Sequence, residues 1–84
     1  MNGYLHRSVR GQPQEYAQTV ERNGRGWGIV WTLDHAAAQV VDDGTASRVL
    51  RWITGQVAKR QYIGGAYGFT PITGIRPFRA SNAG

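Results

Sequence analysis

The chain has no cysteine, no long apolar run and, after Asp43, no acidic residue. Without cysteine the fold has no disulfide and no thiolate ligand for zinc, which fits a reducing compartment and predicts a cytoplasmic protein. No stretch approaches the roughly 18 apolar residues that a membrane-spanning helix needs, and the first ten residues contain no apolar run of signal-peptide length. We therefore expect a soluble, unprocessed protein without a membrane partner.

Groups that perform acid–base or nucleophilic catalysis are also scarce. His6 lies in a segment that we expect to be mobile, and Asp34 and His35 are neighbours in a predicted turn, where adjacent side chains rarely point to one centre. With Asp42 and Asp43 they lack the spacing of a metal-binding loop and are more typical of turns and helix caps. The sequence therefore predicts no enzyme, no catalytic residue, no metal site and no cofactor.

A length of 84 residues allows a single domain, 1–84, and 40% apolar residues with three Trp, four Tyr and two Phe are sufficient for a thin core. A chain of this size hides only about 60 to 65% of its unfolded surface. A deep pocket that excludes water would consume most of such a core, whereas a binding face would not. We expect flexible ends at about 1–3 and 79–84.

Alternating residues predict an antiparallel sheet. A strand that starts near Glu15 leads to Asn23-Gly24, a dipeptide that accepts positive φ at both turn centres, and a return strand follows. The return strand places Trp27, Ile29 and Trp31 on one face, which we expect to meet the helix. The predicted strands are Tyr4–Val9, a strand from Glu15 to the turn, Trp27–Leu33, a short strand at 39–41, and Tyr62–Pro71 with a bulge or glycine-rich loop.

One helix follows, because apolar residues recur at the spacing of a single buried face at Ala46, Val49, Leu50, Ile53 and Val57. The preceding cluster of two aspartates and a glycine suits a helix start, with Thr45 or Asp43 as the cap. The predicted fold class is therefore α+β, an antiparallel sheet of three to five strands packed on one α-helix at about 45–59.

The charges are distributed unevenly. The chain up to Asp43 carries four arginines against five carboxylates, whereas Gly44–Gly84 carries six cationic residues and no carboxylate. A positive half attracts phosphates or an acidic protein face and accelerates the encounter with either, but charge alone does not choose between them.

The outer face of the predicted helix and the hairpin tip supply the candidate binding site. At 100° per residue, Arg48, Arg51, Trp52 and Lys59 surround Gly55 on the side away from the apolar stripe. Guanidinium groups beside an indole can hold a phosphate and stack a base; alternatively, the cations solvate the surface while Trp52 packs over the sheet edge. The glycine-rich hairpin tip is either a tight turn or a weak anion site. The candidate binding residues are Arg25, Arg48, Arg51, Trp52, Lys59 and Arg60.

Three segments of the chain resemble a pattern of small accessory proteins of phages and mobile elements. The segments are Trp31-Thr32-Leu33-Asp34, Ala38-Gln39-Val40-Val41-Asp42, and Ala46 with Val49-Leu50. That pattern is a Trp-Thr strand, a turn, an Ala-x-Val-Phe-Asp strand, with Val41 here in place of Phe, and an Ala-rich helix. It covers roughly a third of the chain. The resemblance implies a protein that binds host machinery, a class that includes anti-CRISPR inhibitors, and it supplies no site residues.

Three functions follow from these observations. The first is a non-catalytic phage or mobile-element protein, cytoplasmic in a bacterial host, that inhibits a defence complex such as CRISPR-Cas. The second is a basic nucleic-acid-binding accessory protein in which Trp52 or Tyr67 stacks bases. The third is a virion protein with residues 75–84 as an assembly arm. The sequence does not specify the oligomeric state.

Overall fold

A computed structural model describes residues 1–72 and consists of a five-stranded antiparallel sheet and one long helix. The predicted α+β class is confirmed. The proposed assembly arm and the predicted flexible end at 79–84 lie outside the described residues. The elements are β1 (Asn2–Ser8), β2 (Glu15–Asn23), β3 (Gly26–Thr32), a short 3-10 helix (His35–Ala37), β4 (Val41–Asp42), α1 (Asp43–Ala58) and β5 (Ala66–Pro71).

The central strand is β1, which pairs with three others. Along one edge it pairs with β5 from Gly3 to Ser8. Along its other edge it pairs with β2 at His6 and Arg7 and with β4 at Asn2 and Gly3. The row is therefore β3–β2–β1–β5, and β4 extends the line of β2. The first two residues of β1 belong to the segment in which we expected a flexible end.

The β2–β3 hairpin closes through a two-residue loop, Gly24-Arg25, flanked by the pair Asn23 and Gly26. Gly24 has φ of +62°. A loop of this length follows the twist of its strands when its first central residue has positive φ, which glycine adopts at little cost. The predicted turn pair was wrong by one residue, because Asn23 ends β2 and the turn begins at Gly24.

The strand β4 is shorter and later than predicted. Its neighbour β2 pairs with β1 only at Glu15 and Tyr16, and the ladder of β2 with β3 has a bulge between Ala17 and Thr19. Gln39 spans the bulge, donating its backbone N–H to the Ala17 carbonyl at 2.8 Å and accepting the Val20 N–H through its side-chain oxygen at 2.8 Å. The expectation of a strand at 39–41 was wrong, because Gln39 bonds to β2 outside any ladder and the paired residues are Val41 and Asp42.

The helix begins two residues earlier than predicted. The Asp42 carboxylate accepts the Thr45 N–H at 2.9 Å, so Asp42 is the cap rather than Thr45 or Asp43. A side chain at the cap reaches the amide three residues later, which lacks a partner inside the helix. This hydrogen bond to Thr45 lowers the pKa of Asp42, because it stabilises the ionised carboxylate.

A Schellman motif ends the helix after Ala58. Lys59 is the cap, the Arg60 N–H donates to the Val57 carbonyl at 3.0 Å, and the Gln61 N–H donates to the Gln56 carbonyl at 2.8 Å. Arg60 has φ of +62°, and it is the only non-glycine residue with positive φ in the described part of the chain. Glycine is the usual residue at this position because a side chain is strained there.

The core lies between α1 and one face of the sheet. As predicted, the aromatic face of β3 packs on the helix. The sequence did not reveal the contributions of β1 and β2. The buried members are Leu5, Ala17, Val20, Val41, Ala46, Val49 and Ile53, and the half-buried residues that pack on them include Trp27, Ile29, Trp31, Leu50 and Val57.

The opposite face of the sheet carries a cluster of aromatic rings. The His35 ring stacks on Tyr16 with centroids 4.6 Å apart, and Tyr4 contacts His35 at 4.8 Å and His6 at 5.9 Å. The His6 Nε2 lies 2.9 Å from the Thr70 hydroxyl. Our expectation of a mobile His6 was wrong, because His6 belongs to β1 and pairs with Tyr16 of β2. Burial of its imidazole lowers its pKa.

Candidate binding face

Trp52 is the residue through which the helix meets the β2–β3 hairpin. Its half-buried indole lies on the backbone of Gly26, so close that a Cβ at position 26 would stand 2.6 Å from Nε1. The Tyr62 ring contacts it edge-on, with centroids 5.5 Å apart. Only glycine at position 26 permits this approach. Of the two roles considered for Trp52, these contacts correspond to packing over the sheet edge.

The cationic candidates lie on the helix, at its end and on the hairpin. Arg48 and Arg51 are exposed on α1, and Lys59 and Arg60 are exposed at its C-terminal end. Arg25 is exposed at the hairpin tip, directly before the glycine that receives the Trp52 ring. The contact therefore joins the hairpin that carries Arg25 to the helix that carries Arg48 and Arg51. We call the five cations Arg25, Arg48, Arg51, Lys59 and Arg60 the basic ridge.

No salt bridge neutralises the basic ridge within the described residues. The acidic side chains are engaged elsewhere or lie on β2, and the closest influence is Arg48, whose charge contributes to the lowered pKa of Asp42. Apart from this interaction of Arg48 with Asp42, the exposed ridge cations face solvent without a salt-bridge partner among the described residues. Glu15 pairs with Arg7 at 2.7 Å, Asp34 caps the 3-10 helix, Asp42 caps α1, Asp43 lies 3.7 Å from the Met1 amino group, and Glu21 is exposed on β2.

Arg22 is a neighbouring cation that the sequence analysis did not select. Its guanidinium carbon lies 5.2 Å from the centre of the Trp27 ring, and the two residues are directly opposite in the β2–β3 ladder. Cations held over an indole in this way gain about 0.5–1 kcal/mol at exposed sites. The signal was present in the sequence, because the correct hairpin turn places Arg22 opposite Trp27.

The other aromatic candidate, Tyr67, is half-buried and held by packing contacts. Its ring contacts Trp31 and Tyr62 with centroids 5.9 and 6.1 Å apart, and its hydroxyl donates to the Ile63 carbonyl. Trp52 is likewise half-buried and in contact with Tyr62. The described rings on the helix side of the sheet therefore serve packing.

The groups considered for catalysis or metal binding are dispersed. The Asp34 carboxylate accepts the Ala36 N–H, and His35 stacks on Tyr16. Among residues 1–72 no three His, Asp or Glu side chains lie close enough to share a metal ion. An open groove of about 280 Å³ separates α1 from β5, and its lining contains no carboxylate or imidazole. The lining residues are Leu50, Ile53, Thr54, Val57, Gly65 and Tyr67.

Comparison of the chain with protein families, curated proteins and solved structures found no match. None of the helices in the described range is long and apolar enough to cross a membrane. A function for this chain is therefore argued from the charge and geometry of its surface.

Proposed function

We propose that the protein is a non-catalytic inhibitor, of phage or mobile-element origin, that binds a bacterial defence complex of the CRISPR-Cas type. The observation that carries the proposal is the basic ridge, five exposed cations without a salt bridge among the described residues. The small size of the chain and its accessory-protein sequence pattern support the same class. They do so independently of the ridge.

The charge of the ridge restricts how such an inhibitor binds. The channel that holds the guide and target strands in these complexes is positively charged. A cationic protein is repelled from that channel, so it does not act as a mimic of nucleic acid. The ridge instead fits an acidic protein face, where arginine side chains bind carboxylates through paired hydrogen bonds.

The dimensions of the face suit a protein partner. The 16 residues of α1 extend about 24 Å, and the hairpin tip widens the surface on one side. A standard interface buries about 800 Å² on each partner, which is a modest part of the 5261 Å² surface of the described chain. The helix and hairpin together are therefore large enough to form one interface.

The test is binding to purified CRISPR-Cas effector complexes, with restored plating of phage on an immune host as the functional assay. Arg48→Gln/Arg51→Gln should abolish both activities. A matched control, Gln12→Glu/Gln18→Glu, alters net charge by the same amount at exposed positions outside the ridge and should retain them. An unaltered protein that neither binds any such complex nor restores plating contradicts the proposal.

The second candidate function is nucleic-acid binding, which the same cluster of cations favours. Each phosphate contact makes affinity fall log-linearly with salt concentration. Fluorescence anisotropy with labelled single- and double-stranded DNA and RNA, at low and near-physiological salt, tests this function. Binding that persists at physiological salt and is lost in Arg48→Gln/Arg51→Gln favours nucleic acid; no binding there leaves an acidic protein as the partner.

A further inference from the structure

The outer strand β3 lacks the features that normally protect a sheet edge. It pairs only with β2 in the described part of the chain, and its seven residues contain no charged side chain and no proline. Proteins usually block such edges with lysine, proline or a covering segment. The opposite outer strand, β5, does end in a proline, Pro71. An unprotected edge of this length can accept a further strand.

The ladder register identifies the backbone groups that face outward. The Val20 N–H donates to Gln39, away from β3, so Val20 and its partner Ile29 form a non-hydrogen-bonded pair. The N–H and C=O of Ile29 consequently point to the outer edge. Because strand residues alternate, those of Trp27 and Trp31 point the same way. These outward groups make no backbone hydrogen bond with any described residue.

The charge around this edge selects the occupant. Arg25 precedes β3, and Trp52, which directly follows Arg51 on α1, contacts Gly26, the first residue of the strand. A second copy of the chain would bring another net charge of +5 to the contact. An acidic segment is attracted instead, because complementary charge favours association and like charge opposes it.

We propose that the outer edge of β3 binds an extended acidic segment of a partner protein as an added strand. Its backbone pairs with Trp27, Ile29 and Trp31, and its carboxylates meet Arg25 and the helix cations. Strand addition of this kind derives affinity from main-chain hydrogen bonds and specificity from alternate side chains. The proposal rests on the proposed function, since it names the element by which the acidic partner is held.

The two faces of the sheet define the chemistry of that segment. Side chains on the helix face approach the basic ridge, so acidic residues belong there. Side chains on the other face approach Val30, which is 54% exposed, so apolar residues belong there. The distance from Trp27 to Trp31 is about 13 Å along a strand, which a five-residue stretch covers. The segment therefore alternates acidic and apolar residues.

Amide hydrogen exchange measured by NMR tests the edge directly. The probe is a blocked seven-residue peptide of alternating valine and glutamate, and the control peptide has lysine in place of glutamate. The glutamate peptide should slow exchange of the Trp27, Ile29 and Trp31 amides at least tenfold at saturation. The Gly28 and Val30 amides, which bond to β2, should change little. Equal protection by both peptides, or by neither, overturns the proposal.

A pair of variants at one position isolates the hydrogen bond. Ile29→Pro removes the outward N–H without breaking the ladder to β2, whereas Ile29→Ala removes similar side-chain packing and retains the N–H. The proline variant should bind the glutamate peptide at least about fivefold more weakly than the alanine variant, the effect of one hydrogen bond. Equal affinities overturn the proposal. If neither variant folds, the exchange experiment on the unaltered protein decides.

Three further outcomes distinguish the added-strand proposal from dimerisation and from the proposed function. Protection of the three amides that grows with protein concentration, with a dimer in sedimentation, identifies a second copy as the occupant and overturns the proposal. A protein that binds a defence complex without protection at these amides also overturns it, while the proposed function stands. Protection by the glutamate peptide without binding to any defence complex supports the edge and contradicts the function.

Discussion

Replacing Arg60 with glycine should stabilise the protein, although it removes an exposed positive charge. Arg60 occupies the position after the helix cap with φ of +62°. That conformation costs a residue with a side chain about 1–2 kcal/mol. Glycine avoids this cost, but its greater conformational freedom in the unfolded chain lowers the stability of the fold by about 0.4–1 kcal/mol. The net gain is about 1 kcal/mol.

The matched control is Arg60→Ala, which loses the same charge and keeps the strained backbone. It should be no more stable than the original protein, because a cation near a helix C-terminus is itself favourable by a few tenths of a kcal/mol. Thermal unfolding followed by circular dichroism at 222 nm measures the difference. For a chain of this size, about 1 kcal/mol corresponds to a Tm increase of roughly 4–8 °C for glycine over alanine.

Equal Tm values for the two variants would refute the argument, since they would mean that Arg60 carries no left-handed strain. The same pair also separates stability from binding. Both variants remove one ridge cation, so both should weaken binding to an acidic partner by a similar factor, up to about fivefold. A glycine variant that is more stable but binds less well would show that the strained residue is kept for its charge.

Three other predictions follow from close contacts and burial. Gly3→Ala should destabilise the fold by about 3 kcal/mol or more in urea unfolding, because the new Cβ would lie 2.7 Å from the Pro71 Cα; a loss below 1 kcal/mol would contradict the packing of β1 on β5. Burial lowers the pKa of His6, so the unfolded state binds its proton more readily than the folded state. The free energy of unfolding is therefore not reduced by His6 above pH 6.5, the ordinary pKa of histidine, and it decreases as pH falls through that value. His6→Gln should reduce the fall in Tm between about pH 7.5 and 5.5, and an unchanged slope of Tm against pH would refute this. Gly26→Ala should displace Trp52 and increase acrylamide quenching in a variant whose only tryptophan is Trp52, whereas unchanged quenching would contradict the contact.

The helix and the hairpin could be predicted because their signals are local. The apolar stripe from Ala46 to Val57 and the turn beside Gly24 each depend on residues a few positions apart. The position of β1 could not be predicted in the same way. Its main partner is β5, and no periodicity relates His6 to Thr70, which lies 64 residues further along the chain.

The errors at the helix ends have a different origin. Asp42, Asp43 and Thr45 all have side chains that can cap a helix, and only the backbone path from β4 selects Asp42. The Schellman motif was not predicted, because its usual sequence signal is glycine and this chain has Arg60 there. Sequence patterns identify the existence of an element more reliably than its last residue.

The candidate site was predictable in part. The spacing of 100° per residue predicted an outer helix face with Arg48, Arg51 and Lys59, and these residues are exposed in the structure. The contact between Trp52 and Gly26 depends on how the helix crosses the hairpin, which no local pattern encodes. That crossing connects the hairpin that carries Arg25 to the helix that carries Arg48 and Arg51, and it is known only from the tertiary structure.

The central position of β1 has a consequence for how the protein is made in the cell. A ribosome releases β1 long before β5, so the strand must remain without its longest partner while some 60 further residues are synthesised. Pairing over such a separation requires closure of a long loop and is characteristic of slow folding. The sheet is completed only once β5 has emerged, and the order of translation therefore makes the pairing of β1 with β5 a late event.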